Sequence, residues 1–183
     1  FMEGDAPGDY YLLIHGTVKV MKHNVGGKSV TLAIMRAAET LGDMALYDRH
    51  PLTACAEAMN EVTVVVIKSE YVRKSISRNP ALAEELIGNI VKRLKIIQDR
   101  VLEVLTCSVS ERIIKILVPL SFQFGKVLPL THQDIADLTG TSRETISRKM
   151  EMLQDQGVIL TRRGRLVILD EHKLKQLDFG EED

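Results

Sequence analysis

Between Arg143 and Arg148 the sequence RETISR sets two guanidinium forks, a carboxylate and a hydroxyl close together. At 3.6 residues per turn, Arg143, Glu144, Ser147 and Arg148 share an outward arc within two turns of a helix. Ile146, Met150 and Leu153 line the neighbouring side and read as the buried stripe. These groups suit hydrogen-bond recognition of a planar, polar surface. Arginine can fork two donors onto guanine O6 and N7, and glutamate can accept from cytosine N4. Bond-breaking chemistry has no comparable support. The sequence carries no Ser-His-Asp arrangement, no phosphate-cradling glycine loop and no metal-ligand spacing, so neither an enzyme nor a metal site is expected.

The surrounding elements must present that arc. Thr131 is a good N-cap, with Asp134 three residues later standing in for the usual capping-box Glu. The helix QDIADLT buries Ile135 and Leu138 and stops at Gly140, where a left-handed residue is wanted. Ser142 caps the next helix. Further on, VILTRRGRLVILD reads as a two-stranded hairpin turning at Gly164, followed by a polar tail. Helix, glycine-containing turn, helix and hairpin make a winged helix-turn-helix, whose second helix enters the major groove. Thr131, Gln133, Thr141, Ser142 and the wing residues Arg162, Arg163 and Arg165 are then placed to hold phosphates, which fixes register without reading sequence. Solvated surface charges are the bland alternative, and a winged helix that serves protein contacts is another. Caps, turn, hairpin and arginines agreeing at several levels weigh against both.

The totals set limits. A formal net charge of -1 over 183 residues excludes a protein that coats nucleic acid by bulk charge, so any DNA affinity must be local. Cys55 and Cys107 form no CxxC pair and read as two reduced, buried thiols. The longest apolar run, VTVVVI at 62–67, is strand-sized, far short of the roughly 20 residues of a membrane span. A cytoplasmic protein without membrane contact is expected. The opening FMEGDAPGDYYLLIHG reads like the middle of a domain, and a preceding stretch is expected.

Residues 1–80 read as strands and turns. YYLLIHGTVKVMKHN surrounds Gly16, Gly26-Gly27 punctuates a hairpin before KSVTLAIM, and TACAEA and VTVVVI follow. Such spacing suggests a small antiparallel β-roll, jelly-roll-like. LGDMALYDRHP interrupts it with a short helical turn, and Ser69 is expected to cap a short helix over EYVRKSI. Across 81–107 runs one long helix. Ile87, Ile90, Leu94, Ile97, Val101 and Val104 step by three and four, a 3.5-residue repeat flanked by charges including Arg93. That stripe predicts a homodimer seam, while Leu86, Val91 and Leu102 supply a second face for packing on the roll. Residues 108–183 form the winged unit, so the class is α+β.

The segment LTHQDIADLTGTSRETISRKMEMLQDQGVI resembles the DNA-binding domain of the Crp/Fnr family of bacterial transcription regulators. YYLLIHGTVKV, GDMAL, the long helix and the wing follow in the family's order. The resemblance implies a cyclic-nucleotide-binding-like roll, a dimerisation helix, a winged helix and a partner in RNA polymerase. It also implies that residues matching Arg143, Glu144 and Arg148 read a TGTGA-type half-site. The Fnr-like pattern of Glu144, Ser147 and Arg148 instead reads TTGAT, and both patterns coexist here. A GA-containing pseudo-palindrome with half-sites about 10 bp apart is expected.

In the effector pocket the resemblance weakens. Cyclic-AMP-binding relatives carry GE-x-AL and then PR-[ST]-A, the Glu taking the ribose hydroxyl and the Arg the cyclic phosphate. This chain has Gly42, Asp43, Met44, Ala45 and Leu46, then Pro51, Leu52, Thr53 and Ala54. Ile97 and Gln98 fall where those relatives place an adenine-touching Thr-Ser pair. Without a cation at Leu52 a buried phosphate would cost several kcal/mol, so cyclic AMP is disfavoured. No cysteine cluster or paired haem ligands stand in for it: His15, His23 and His50 are scattered. Another small-molecule effector, or none, is expected.

Overall fold

The computed structural model describes residues 1–6, 8–43 and 50–177. They form two compact units, Phe1–Gln98 and Asp99–Asp183.

In the first unit, β1 (Tyr10–His15) pairs with β4 (Thr40–Leu41) and β6 (Thr63–Ile67), giving the order β4-β1-β6. A second sheet has the order β3-β2-β5, from β2 (Val18–His23), β3 (Ser29–Met35) and β5 (Cys55–Ala58). All pairings are antiparallel. Leu13, Val18, Met35 and Leu41 form a buried core, with Tyr11, Val20 and Ala33 packed against it. Gly16 joins β1 to β2 at φ 91, where an added Cβ would lie 2.2 Å from the Glu61 carbonyl. Only glycine fits that turn. The segment from Met44 to Arg49, where a helical turn is expected, lies outside the described residues.

Helix α1 (Ser69–Arg78) follows, but Ser69 is not its cap. Lys68 holds that position without a side-chain capping bond, its Nζ donating instead to Asp9 Oδ2 at 2.7 Å, and the Ser69 hydroxyl donates to the Gly8 carbonyl at 2.8 Å. Helix α2 (Pro80–Thr106) is continuous across the boundary between the units and has no buried residue. The six residues of the 3.5 repeat are 42% to 59% exposed. The second face differs from expectation: Leu86 is half-buried, whereas Val91 and Leu102 are exposed, so it is covered far less than its composition suggests.

In the second unit the end of α2 is followed by α3 (Val109–Phe124), held by a Ser108–Glu111 capping box. Helices α4 (His132–Thr139) and α5 (Arg143–Asp155) pack on each other, and α5 also meets β8 of a sheet of order β7-β9-β8, built from β7 (Val127–Leu128), β8 (Ile159–Arg162) and β9 (Arg165–Ile168). The hairpin thus gains a third strand, β7, whose two residues are too short to signal themselves. Ile113, Leu117, Leu128, Ile135, Ile146, Leu153, Ile159 and Ile168 are essentially inaccessible and form one core. The tail is not uniformly polar either. Asp170 caps α6 (Glu171–Gln176), which buries Leu174. Cys55 is buried, but Cys107 is only half-buried and accepts from Lys115 Nζ at 3.3 Å, a polar contact that an apolar neighbourhood does not foretell.

Candidate nucleic-acid interface

Local chemistry builds this surface. The Thr131 N–H donates to Asp134 Oδ2 at 2.9 Å, and the Asp134 N–H donates to Thr131 Oγ1 at 3.1 Å. Two orphan donors of the first turn are thereby satisfied. Gly140 ends α4 in the left-handed region at φ 70. The chain then turns into α5, where Ser142 Oγ accepts the Thr145 N–H at 3.2 Å. Ile146, Met150 and Leu153 anchor α5 by their burial, so its other side faces out.

On that outward side Arg143, Glu144 and Arg148 are exposed and Ser147 is half-buried. Glu144 is held below the usual carboxylate range, first by a backbone N–H at the helix start, then by the Ser142 hydroxyl, Arg143 and Arg148. It is a committed acceptor near neutral pH. Thr131, Gln133, Ser142, Arg162, Arg163 and Arg165 are exposed and Thr141 is half-buried. Gln133 Nε2 donates to Asp137 Oδ1 at 2.7 Å, which steers its amide. A cleft of about 400 Å³ gathers Thr131, Gln133, Arg143 and Arg162 with His132 and Gly164. Glu144, Ser147, Arg148, Thr141, Ser142, Arg163 and Arg165 lie outside its lining.

His132 was not foreseen as a site residue. Its Nδ1 lies 3.0 Å from Ser147 Oγ, joining the start of α4 to the middle of the arc. Burial and then Arg143 push its pKa down, opposed by Glu151. The contact spans 15 residues and two helices, so no local spacing betrays it.

The effector-pocket residues present another picture. Gly42 adopts φ +87, with the Asp9 carbonyl 2.5 Å from where a Cβ would stand. It delivers Asp43 inward, where the carboxylate is 5% exposed and both oxygens accept from Arg93 Nη1, at 2.9 and 2.6 Å. Arg93 Nη2 also donates to the Thr40 carbonyl at 2.6 Å. Arg93, one of the charges flanking the stripe, is therefore turned inward to the roll. Met44 and Ala45 lie outside the described residues. Leu52 is half-buried, its N–H donating to the Asp5 carbonyl and its own carbonyl accepting from Gly4, both at 2.8 Å. Thr53, Ile97 and Gln98 are exposed.

A β-roll unit, a long helix and a winged helix-turn-helix with an outward basic arc define a two-part DNA-binding regulator. Residues 1–79 match the cyclic nucleotide-binding domain family, and residues 111–177 match the Crp-like helix-turn-helix domain family. The chain is 30% identical over 182 residues to the cyclic AMP receptor protein of Thermus thermophilus, covering 98% of this chain and 84% of that protein. It is 29% identical over 183 residues to the CRP-like cAMP-activated global transcriptional regulator of Mycobacterium tuberculosis, covering 95% and 81%. Its fold is similar to that of FixK2 from Bradyrhizobium japonicum, at TM-score 0.83 and 21% identity, covering 100% and 93%. The chain belongs to the Crp/Fnr family of bacterial transcription regulators. It is a DNA-binding regulator and not an enzyme, and family-typical dimerisation goes with that membership. No helix among the described residues is long and apolar enough to cross a membrane.

Proposed function

We propose that the chain acts as a homodimer on an inverted-repeat, GA-containing DNA site of the TGTGA or TTGAT type. Arg143, Glu144, Ser147 and Arg148 read base edges, while Thr131, Gln133, Thr141, Ser142, Arg162, Arg163 and Arg165 hold phosphates. The observation carrying this reading is the exposure of Arg143, Glu144 and Arg148 on a capped helix whose opposite side is buried. Ile87, Ile90, Leu94, Ile97, Val101 and Val104 form the dimer seam, which supports two reading helices one helical turn apart. The dimer works in the cytoplasm with RNA polymerase as a partner.

The effector is a small molecule other than cyclic AMP, or there is none. Asp43 is engaged by Arg93, and Leu52 brings no cation to a phosphate. A cyclic-AMP-responsive regulator with a divergent pocket is the second reading, favoured by the names of the Thermus and Mycobacterium relatives.

Fluorescence anisotropy on TGTGA and TTGAT inverted repeats tests the DNA reading. Affinity should exceed that for scrambled duplex by about 10³-fold or more and fall steeply with salt. Equal affinity for all duplexes would end it. Calorimetry separates the effector readings: heat at micromolar cyclic AMP establishes the second, and its absence supports the first.

A further inference from the structure

We propose that His132 is a positioning residue that decides whether Ser147 meets a base edge as a hydrogen-bond acceptor or as a donor. The proposal rests on α5 being the reading helix. Two observations carry it. His132 Nδ1 stands 3.0 Å from Ser147 Oγ, and its Nε2 is buried without a hydrogen-bond partner among the described residues. A buried ring nitrogen that no protein group matches is met by water or by a ligand.

His132 is among the residues lining the cleft that also holds Gln133, Arg143 and Arg162, and its Nε2, closed off in the free protein, must be uncovered for a ligand to reach it. With two guanidinium groups at its walls, the ligand chemistry that fits this cleft is an anionic oxygen, which on DNA is a backbone phosphate. A phosphate oxygen can only accept, so it selects the ring form with its proton on Nε2. Nδ1 is then a lone pair and takes the Ser147 hydroxyl proton. Ser147 is left with lone pairs alone for the groove, which match the amino groups of adenine N6 or cytosine N4. The other tautomer reverses everything: Nδ1–H donates to Ser147, whose hydroxyl proton then seeks guanine O6 or N7, or thymine O4. In the free protein burial and Arg143 favour the neutral ring, in which this choice exists. Phosphate engagement and base preference are thus linked through one imidazole.

The test uses the full chain and inverted repeats varied symmetrically at one position per half-site. Ser147→Ala should lose about fivefold of an adenine or cytosine preference at a single position. His132→Phe should lose the same preference at the same position, and the double variant should lose no more. His132→Asn, whose amide can reach the place of Nδ1, should retain part of it. Ring ¹⁵N shifts of the bound wild type should report the proton on Nε2. Additive losses, a uniform loss over all sequences, or a proton on Nδ1 would each overturn the proposal. Where His132→Phe fails to fold, His132→Asn and the ¹⁵N shifts decide. A wild type that selects no inverted repeat fails the DNA reading itself. A selective wild type unchanged by His132→Phe fails this inference alone.

Discussion

Arg148 and Arg163 are both exposed arginines, yet their removal should be felt differently. Arg148 projects from the arc of α5, so Arg148→Ala should cost about 1–3 kcal/mol, concentrated at one base position. Arg163 sits at the wing turn and should weaken binding evenly across sequences when replaced by alanine. Competition with singly substituted duplexes separates the two patterns. His132 yields a pH prediction. Its folded pKa lies below the ordinary value near 6.5, so the unfolded chain takes up this proton first as pH falls. The DNA-binding unit should therefore lose stability below about pH 6.5, and His132→Phe should flatten that part of the curve in thermal melts at pH 7 and 5.5. Glu144 acts in the same sense at lower pH: its contribution is present above 4.5 and fades as pH falls through its depressed folded value. What was legible at this scale had partners three residues away. The Thr131–Asp134 box and the Ser142 cap follow from sequence because their atoms are neighbours before folding. The Asp43–Arg93 pair, 50 residues apart, and the His132–Ser147 contact depend on tertiary packing, and no spacing announces them.

Elements were legible in proportion to their length. The 27 residues of α2 repeat their apolar spacing often enough to be read, whereas β7 and α6 are too short for a period to emerge. Composition also overstated burial, since Val91 and Leu102 look like a packing face and are exposed. Two element-scale predictions follow from α2. Leu94 is 52% exposed at the centre of the stripe. Leu94→Glu would place like charges opposite one another in the proposed seam while costing the isolated chain little. Analytical ultracentrifugation should find a monomer with an unchanged circular dichroism spectrum. A persistent dimer would remove α2 as the seam. Arg93 lies on the same helix but points to the roll, so Arg93→Ala should leave the dimer intact. It removes the Arg93 contacts of the Asp43 carboxylate, 5% exposed, and should cost roughly 1–3 kcal/mol, read as a lowered Tm.

For the whole molecule, the near-zero net charge and the proposed DNA affinity are reconciled by where the cations stand. Three wing arginines, Arg162, Arg163 and Arg165, are exposed on each protomer. A dimer that sets all of them on phosphates releases about six counterions, so log K should fall against log salt with a slope of about −5. A protein that binds by overall charge would have none of this at net −1. Arg163→Ala removes one cation from each protomer and should make the slope shallower by about 2. Symmetry adds a geometric condition. Two reading helices joined through one seam demand half-sites about 10 bp apart, on one side of the duplex. Inserting about 5 bp between the half-sites turns one of them to the far side. Only one protomer can then read its bases, and affinity should drop to that of a single half-site while the salt slope falls by about half. Anisotropy titrations on the two duplexes at several salt concentrations measure both changes together. An affinity indifferent to the insertion would mean that the protomers read DNA independently, and the coupling of dimer and site would have to be abandoned.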